Sequence, residues 1–97
     1  MFQIVWSASA ISQQLDILEF WIEHNQSQTY SLKLKREIKK TEKQLIKNPY
    51  LGNVTDFENI RKLLILKNFS IYYTISVNTI IILAIRDNRR NPENLQL

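Results

Sequence analysis

The chain has no cysteine, one glycine, one histidine, two prolines and no apolar run of membrane-spanning length. Without cysteine there is neither a disulfide nor a thiolate metal site, so stability has to come from packing. A lone histidine, His24, makes a poor metal centre, and the sequence predicts no metal and no cofactor. A single glycine excludes the glycine-rich loops that cradle phosphates, and no serine–histidine constellation or paired metal-ligand spacing stands in for them. The first residues lack a basic start, and Asp16 interrupts their apolar character before a secretory or spanning length is reached. The expectation is a soluble, cytoplasmic protein. Its 97 residues suit one domain, 1–97.

Residues 60–90 organise what is present. Three apolar runs rich in Ile, Tyr, Thr and Val are joined by two polar breaks, Lys67-Asn68 and Asn78-Thr79. Each run is short for a helix and suits a pleated surface, which predicts a three-stranded antiparallel meander. Asparagine tolerates the positive φ of tight hairpins, so Asn68 and Asn78 are expected to carry the turns. In the middle strand Phe69, Ile71, Tyr73, Ile75 and Val77 share one face, read as the core face. Ser70, Tyr72, Thr74 and Ser76 share the other, read as accessible. The last strand, 80–85, is apolar on both sides, as a central strand should be.

Upstream, residues 2–6 form a short apolar strand, and Ser7 can cap a following helix. Over 8–24, Ile11, Leu15, Leu18 and Ile22 recur at helical spacing; Phe20 and Trp21 lie off that stripe and are expected to be open to a partner. His24, near the helix end, reads as a capping or surface residue. Ser27 can cap a second helix whose inward stripe is Tyr30, Leu34, Ile38, Thr41 and Leu45. Pro49 ends it at Asn48. Gly52, in the loop beyond, reads as a position where a Cβ would be strained. The fold class expected is α+β, in the order β-α-α-β-β-β. A helical hairpin packs on one face of a four-stranded, mainly antiparallel sheet.

Charge is unevenly spread. Residues 1–32 hold three acids and no lysine or arginine, whereas residues 33–50 hold seven cations and two acids. Arg36 with Lys40, Lys39 with Lys43 and Lys43 with Lys47 are like-charge pairs at helical spacing, so pairing does not stabilise this helix. Such a face could serve a polyanion or an acidic partner, and Lys40, Lys43 and Lys47, with Arg90, are candidates for contacting nucleic acid. Cations also gather at strand ends. Arg61 and Lys62 enter the meander; Arg86, Arg89 and Arg90 leave it. Guanidinium groups can position phosphates and stabilise a phosphoryl transition state without a metal, which makes Arg61, Lys62, Arg86 and Arg89 the catalytic candidates. Arg61 and Arg86 should lie toward opposite ends of the sheet.

The order strand, helical hairpin, meander and basic knot resembles the RelE/ParE toxins of bacterial type II toxin–antitoxin modules. Local patterns carry the same resemblance: Ile4-Val5-Trp6-Ser7 followed by Ala10, Asn48-Pro49-Tyr50-Leu51-Gly52, Phe69-Ser70-Ile71-Tyr72-Tyr73 and Arg89-Arg90-Asn91-Pro92. The resemblance implies a toxin silenced by a cognate antitoxin that wraps it. It also implies a target: messenger RNA, cut on the ribosome by a metal-independent endoribonuclease, is the first expectation, and DNA gyrase, poisoned without cleavage of RNA, is the alternative. By position, Arg61 or Lys62 resembles the basic residue of the family's first meander strand and Arg89 the one after its last strand. Three departures bear on RNA cleavage. Ser70 stands where ribonuclease members place an arginine, Asp87 where relatives often have histidine, and no tyrosine follows Arg90. A catalytically degenerate, antitoxin-binding protein is the further alternative. The antitoxin is expected on the accessible sheet face, with Tyr72 and Thr74 among its contacts, and on the first helix.

Overall fold

A computed structural model describes residues 1–90; Asn91 and Pro92, which close the last of the patterns quoted above, lie outside the described residues. Strand β1 (Gln3–Trp6) leads into helices α1 (Ala8–Asn25) and α2 (Thr29–Lys47). Four strands follow: β2 (Asn53–Val54), β3 (Arg61–Ile65), β4 (Phe69–Ser76) and β5 (Thr79–Asp87). The sheet order is β1-β5-β4-β3-β2. Only β1 runs parallel to its neighbour, with Gln3 opposite Thr79 and Trp6 opposite Ile82; the remaining pairs are antiparallel. The α+β class and the helical hairpin stand as the sequence predicts. The sheet has five strands rather than four, because Asn53 and Val54 leave the Gly52 loop extended and pair with Lys62 and Arg61.

Helix α1 begins where Ser7 accepts the Ala10 amide at 3.0 Å. It ends with Gln26 in the left-handed region, whose amide and that of Ser27 close back on Glu23 and Ile22. Its buried face differs from the expected stripe. Ala10 and Ile17 are buried and Leu18 and Trp21 pack against the core, while Ile11 and Leu15 are exposed. The helix is therefore turned by roughly 100°, one residue step. Polar groups on the inward arc are the reason. Gln13 accepts the Ile85 amide at 2.9 Å and the Trp21 indole donates to Asp87, so hydrogen bonds to β5 choose an arc that an apolar count passes over.

Those bonds answer a bulge. Opposite β4, Tyr72 pairs with Ala84 but Tyr73 pairs with Ile82, so Leu83 is an extra residue in β5. The bulge disturbs the ladder there. Ser7 donates to the Leu83 carbonyl at 3.4 Å, and Gln13 takes the Ile85 amide.

Helix α2 buries Ser31, Leu34, Ile38, Thr41 and Leu45, close to the expected stripe. Its leucines and isoleucine meet Phe69, Ile71, Tyr73, Ile80, Ile82 and Ile85 in one core. The N-cap of the helix is Gln28, without a side-chain cap, rather than Ser27, whose hydroxyl accepts the Thr29 amide from one residue further back at 3.2 Å. Asn48 follows as the C-cap, as Pro49 requires.

The hairpin turns depart from expectation. Positive φ falls on Leu66, Lys67 and Val77, not on Asn68 or Asn78. Register decides this, since Ile65 opposite Phe69 and Ser76 opposite Thr79 align the core residues and leave those three at the tips. Asn68 instead accepts the Asn88 amide. The second face of β4 is also more covered than expected: Ser70 and Tyr72 are buried, and only Thr74 and Ser76 retain access. β4 is flanked by strands on both edges, Asn88 donates to the Ser70 hydroxyl at 2.8 Å, and the Lys62 ammonium sits 6.0 Å from the Tyr72 ring.

Candidate functional site

Directly opposed residues in a sheet point to the same side. Arg61 opposes Tyr73 and Asp87 opposes Phe69, so both belong to the helix side. Lys62 opposes Tyr72 and Arg86 opposes Ser70, so both belong to the other side. Arg89, beyond the strand, also turns toward the helices. The four catalytic candidates are therefore divided two and two between the faces of the sheet.

On the helix side the cations are held by the protein itself. Arg61 donates to the Gly52 carbonyl at 2.7 Å and lies over the Tyr50 ring. That contact braces the loop around Tyr73, whose hydroxyl accepts the Gly52 amide and donates to the Pro49 carbonyl, both at 2.8 Å. Burial raises the Tyr73 pKa above its ordinary value, against the lowering pull of the Gly52 amide and the Arg61 charge. The φ of Gly52 is not positive. The glycine is needed for space, because a Cβ there would stand 2.8 Å from the Tyr73 hydroxyl and 2.9 Å from the Lys62 carbonyl.

Arg89 is enclosed. Its guanidinium carbon lies 4.2 Å from the Trp21 ring centre, 5.2 Å from Phe69 and 5.4 Å from Tyr30. It donates to the Tyr30 hydroxyl at 2.9 Å and to buried Asp87 at 3.3 Å. Asp87 also accepts the Trp21 indole at 2.7 Å and the Arg89 amide at 3.0 Å. Arg90 stacks over Phe20 at 3.9 Å and reaches exposed Asp16 at 3.3 Å. The basic knot thus clamps the end of β5 to α1. Phe20 and Trp21, off the expected apolar stripe, are the platforms it rests on. His24 stacks beside them, 5.4 Å from Phe20.

The other side is sparser. Lys62 and Arg86 flank buried Ser70, Tyr72 and Ala84, two strands apart and two residue steps out of line. Strand spacings place their Cα atoms about 12 Å apart, within joint reach of one phosphate for two long side chains. Thr74 on the same face donates to the Asn59 carbonyl at 2.7 Å.

Two depressions lie elsewhere, the first mainly apolar and the second of mixed polarity. One, about 360 Å³, runs between the helices and is lined by Trp6, Ile11, Leu15 and Ile38 with Lys35 and Lys39. A second, about 540 Å³, lies at the hairpin end among Tyr50, Val54, Phe57 and Val77 with Asp56, Glu58 and Arg61. Exposed Ile11 and Leu15 were read as core positions, so sequence periodicity concealed the first depression. Lys40, Lys43 and Lys47 all project from the outer face of α2. Among the described residues no group of three acids or histidines could hold a metal, and no helix is long and apolar enough to cross a membrane.

Comparison with known proteins adds the following. A family model described as ParE toxin of type II toxin-antitoxin system, parDE, matches residues 4–92. A solved structure titled as the chromosomal ParDE TA system from P. aeruginosa superposes with a TM-score of 0.76 at 21% identity. The match covers 90% of this chain and 96% of that one, a likeness of fold. A search of curated protein sequences found no match.

Proposed function

Because the chain belongs to the ParE toxin family of type II toxin–antitoxin systems, we propose that it arrests growth by poisoning DNA gyrase and is silenced by a cognate antitoxin. The observation that carries the choice of target is the division of its cations. Metal-independent RNA cleavage needs several charged groups converging on one phosphate. Here Arg61 and Arg89 face the helices and are occupied by Gly52, Asp87 and three aromatic rings. Lys62 and Arg86 remain on the opposite face. His24, the one histidine, stacks on α1 far along the chain from them. A toxin that acts by binding requires no such convergence.

The antitoxin is proposed to cover the depression between the helices. Ile11 and Leu15 are each about half exposed there, and apolar groups of that size on a small protein mark an interaction surface. Lys35 and Lys39 at its border suit an acidic amphipathic segment.

Messenger-RNA cleavage is the second reading, favoured by the shared face of Lys62 and Arg86. One experiment separates the two. Purified protein is incubated with gyrase and supercoiled DNA, and in parallel with translating ribosomes whose messages are mapped for new ends. Accumulated gyrase-cleaved DNA with intact message is the expected result. New ends in the message and unaffected gyrase would reverse the order.

A further inference from the structure

The outer face of α2 carries a ridge that nothing in the fold uses. Arg36, Lys40, Lys43 and Lys47 recur at steps of four, three and four, so they form one line directly opposite buried Leu34, Ile38, Thr41 and Leu45. The line is about 16 Å long at the helical rise. All four side chains are exposed. Among the described residues, none of the four takes part in an ion pair or a side-chain hydrogen bond, whereas Lys39 beside them pairs with Glu42 at 3.7 Å. The two acids of the helix lie off the ridge: Glu42 is turned toward β1, where it accepts the Trp6 indole, and Glu37 is partly buried.

Like charges four residues apart oppose the helix that bears them. The ridge therefore costs the isolated fold something and returns nothing to it, which distinguishes it from an ordinary solvated face of mixed sign. Its composition also restricts the occupant. Protein interfaces are built on an apolar centre, and the exposed apolar side chain of this face, Leu32, stands at its end, one turn before Arg36, with none between Arg36 and Lys47. A regular row of phosphates asks only for cations at intervals and no apolar contact.

We propose that the Arg36–Lys40–Lys43–Lys47 ridge docks along the phosphate backbone of duplex DNA, independently of base sequence. The choice of duplex DNA as the source of phosphates rests on the gyrase reading, since a gyrase poison works where that enzyme holds such a duplex. The binding itself requires no gyrase. It adds a second point of attachment, on the far side of α2 from the sheet.

The test uses the full chain and a fluorescein-labelled random-sequence duplex, with anisotropy read from 50 to 200 mM salt. Four phosphate contacts predict an affinity loss of about 100-fold across that range, and one remaining contact about 4-fold. The triple variant Lys40→Gln, Lys43→Gln, Lys47→Gln is expected to show the shallower dependence while its melting temperature holds or rises. Lys43→Gln should weaken binding more than Lys67→Gln, which removes the same charge from a hairpin tip. Equal losses in those two variants would assign the effect to net charge and overturn the proposal. So would a parent protein that ignores the duplex, or one that prefers single-stranded RNA of equal length. Duplex binding through the ridge without gyrase-cleaved DNA would leave the surface standing and remove the gyrase reading.

Discussion

Trp21 and Arg89 meet face to face at 4.2 Å, and the same buried carboxylate, Asp87, binds both: the indole at 2.7 Å and the guanidinium at 3.3 Å. A single acid thereby fixes α1 to the end of β5. The acid at position 87, where the family resemblance leads one to expect histidine, is the anchor of Arg89.

Asp87→Ala leaves an indole N–H and a guanidinium without their acceptor, and should lower stability by about 2–3 kcal/mol in urea unfolding. Trp21→Phe removes one bond to the carboxylate and should cost about 1 kcal/mol. The two substitutions together should cost less than their sum, since they disrupt one network. Strict additivity would dissolve the network.

Arg89→Ala is expected to reduce stability by about 1 kcal/mol, because it removes the cation resting on Trp21, Tyr30 and Phe69. Loss of toxicity in that variant would then report on folding. Lys62→Ala with Arg86→Ala is the informative pair. Under the gyrase reading growth arrest persists in it with little change, and a growth curve indistinguishable from an uninduced control would favour RNA cleavage.

Gly52→Ala places a methyl group against Tyr73 and the Lys62 carbonyl, and should cost about 1–3 kcal/mol. Adding Tyr73→Phe should not restore the loss, because the main-chain contact at 2.9 Å stays. Recovery in the double variant would place the whole conflict in the hydroxyl.

Tyr73 also gives a pH signature. Its folded pKa lies above the ordinary 10.0, so the native state keeps its proton while the unfolded chain releases one. The contribution is complete below pH 10 and is lost as pH rises from there through the folded value. Melting temperatures should fall above pH 10 more steeply in the parent than in Tyr73→Phe. Tyr73→Phe itself should be weaker near neutrality by about 1–3 kcal/mol, with the Gly52 amide and Pro49 carbonyl unpaired.

Val77 is a β-branched residue at φ 54°, 88% exposed. Val77→Gly removes that conformational strain and should stabilise the protein by about 1 kcal/mol, read as a higher urea midpoint with an unchanged slope. A lower midpoint would show that the exposed valine packs on something.

Much of this fold is legible in the sequence because its signals are periodic. Leu34, Ile38 and Leu45 mark the inner side of α2, Pro49 marks its end, and Ser7 marks the start of α1. What periodicity conceals is polar. Gln13 and Trp21 look like residues for solvent or a partner, yet their hydrogen bonds to Ile85 and Asp87 decide how α1 is turned. The bulge at Leu83 has no composition cue either, since an extra apolar residue inside an apolar strand leaves the alternation readable in two ways. The site suffers most. Arginines at a strand end read alike in the sequence, and only their distances to Phe20, Trp21 and Tyr30 show that Arg89 and Arg90 rest on α1 and on the start of α2.

The parallel pairing of Gln3–Trp6 with Thr79–Asp87 has a consequence in time. The first strand to leave the ribosome can take its place only beside the last, so during translation it waits unpaired for nearly the whole length of the chain. Any surface that depends on the closed sheet comes into being only once residues 79–87 have been made and have paired with residues 3–6.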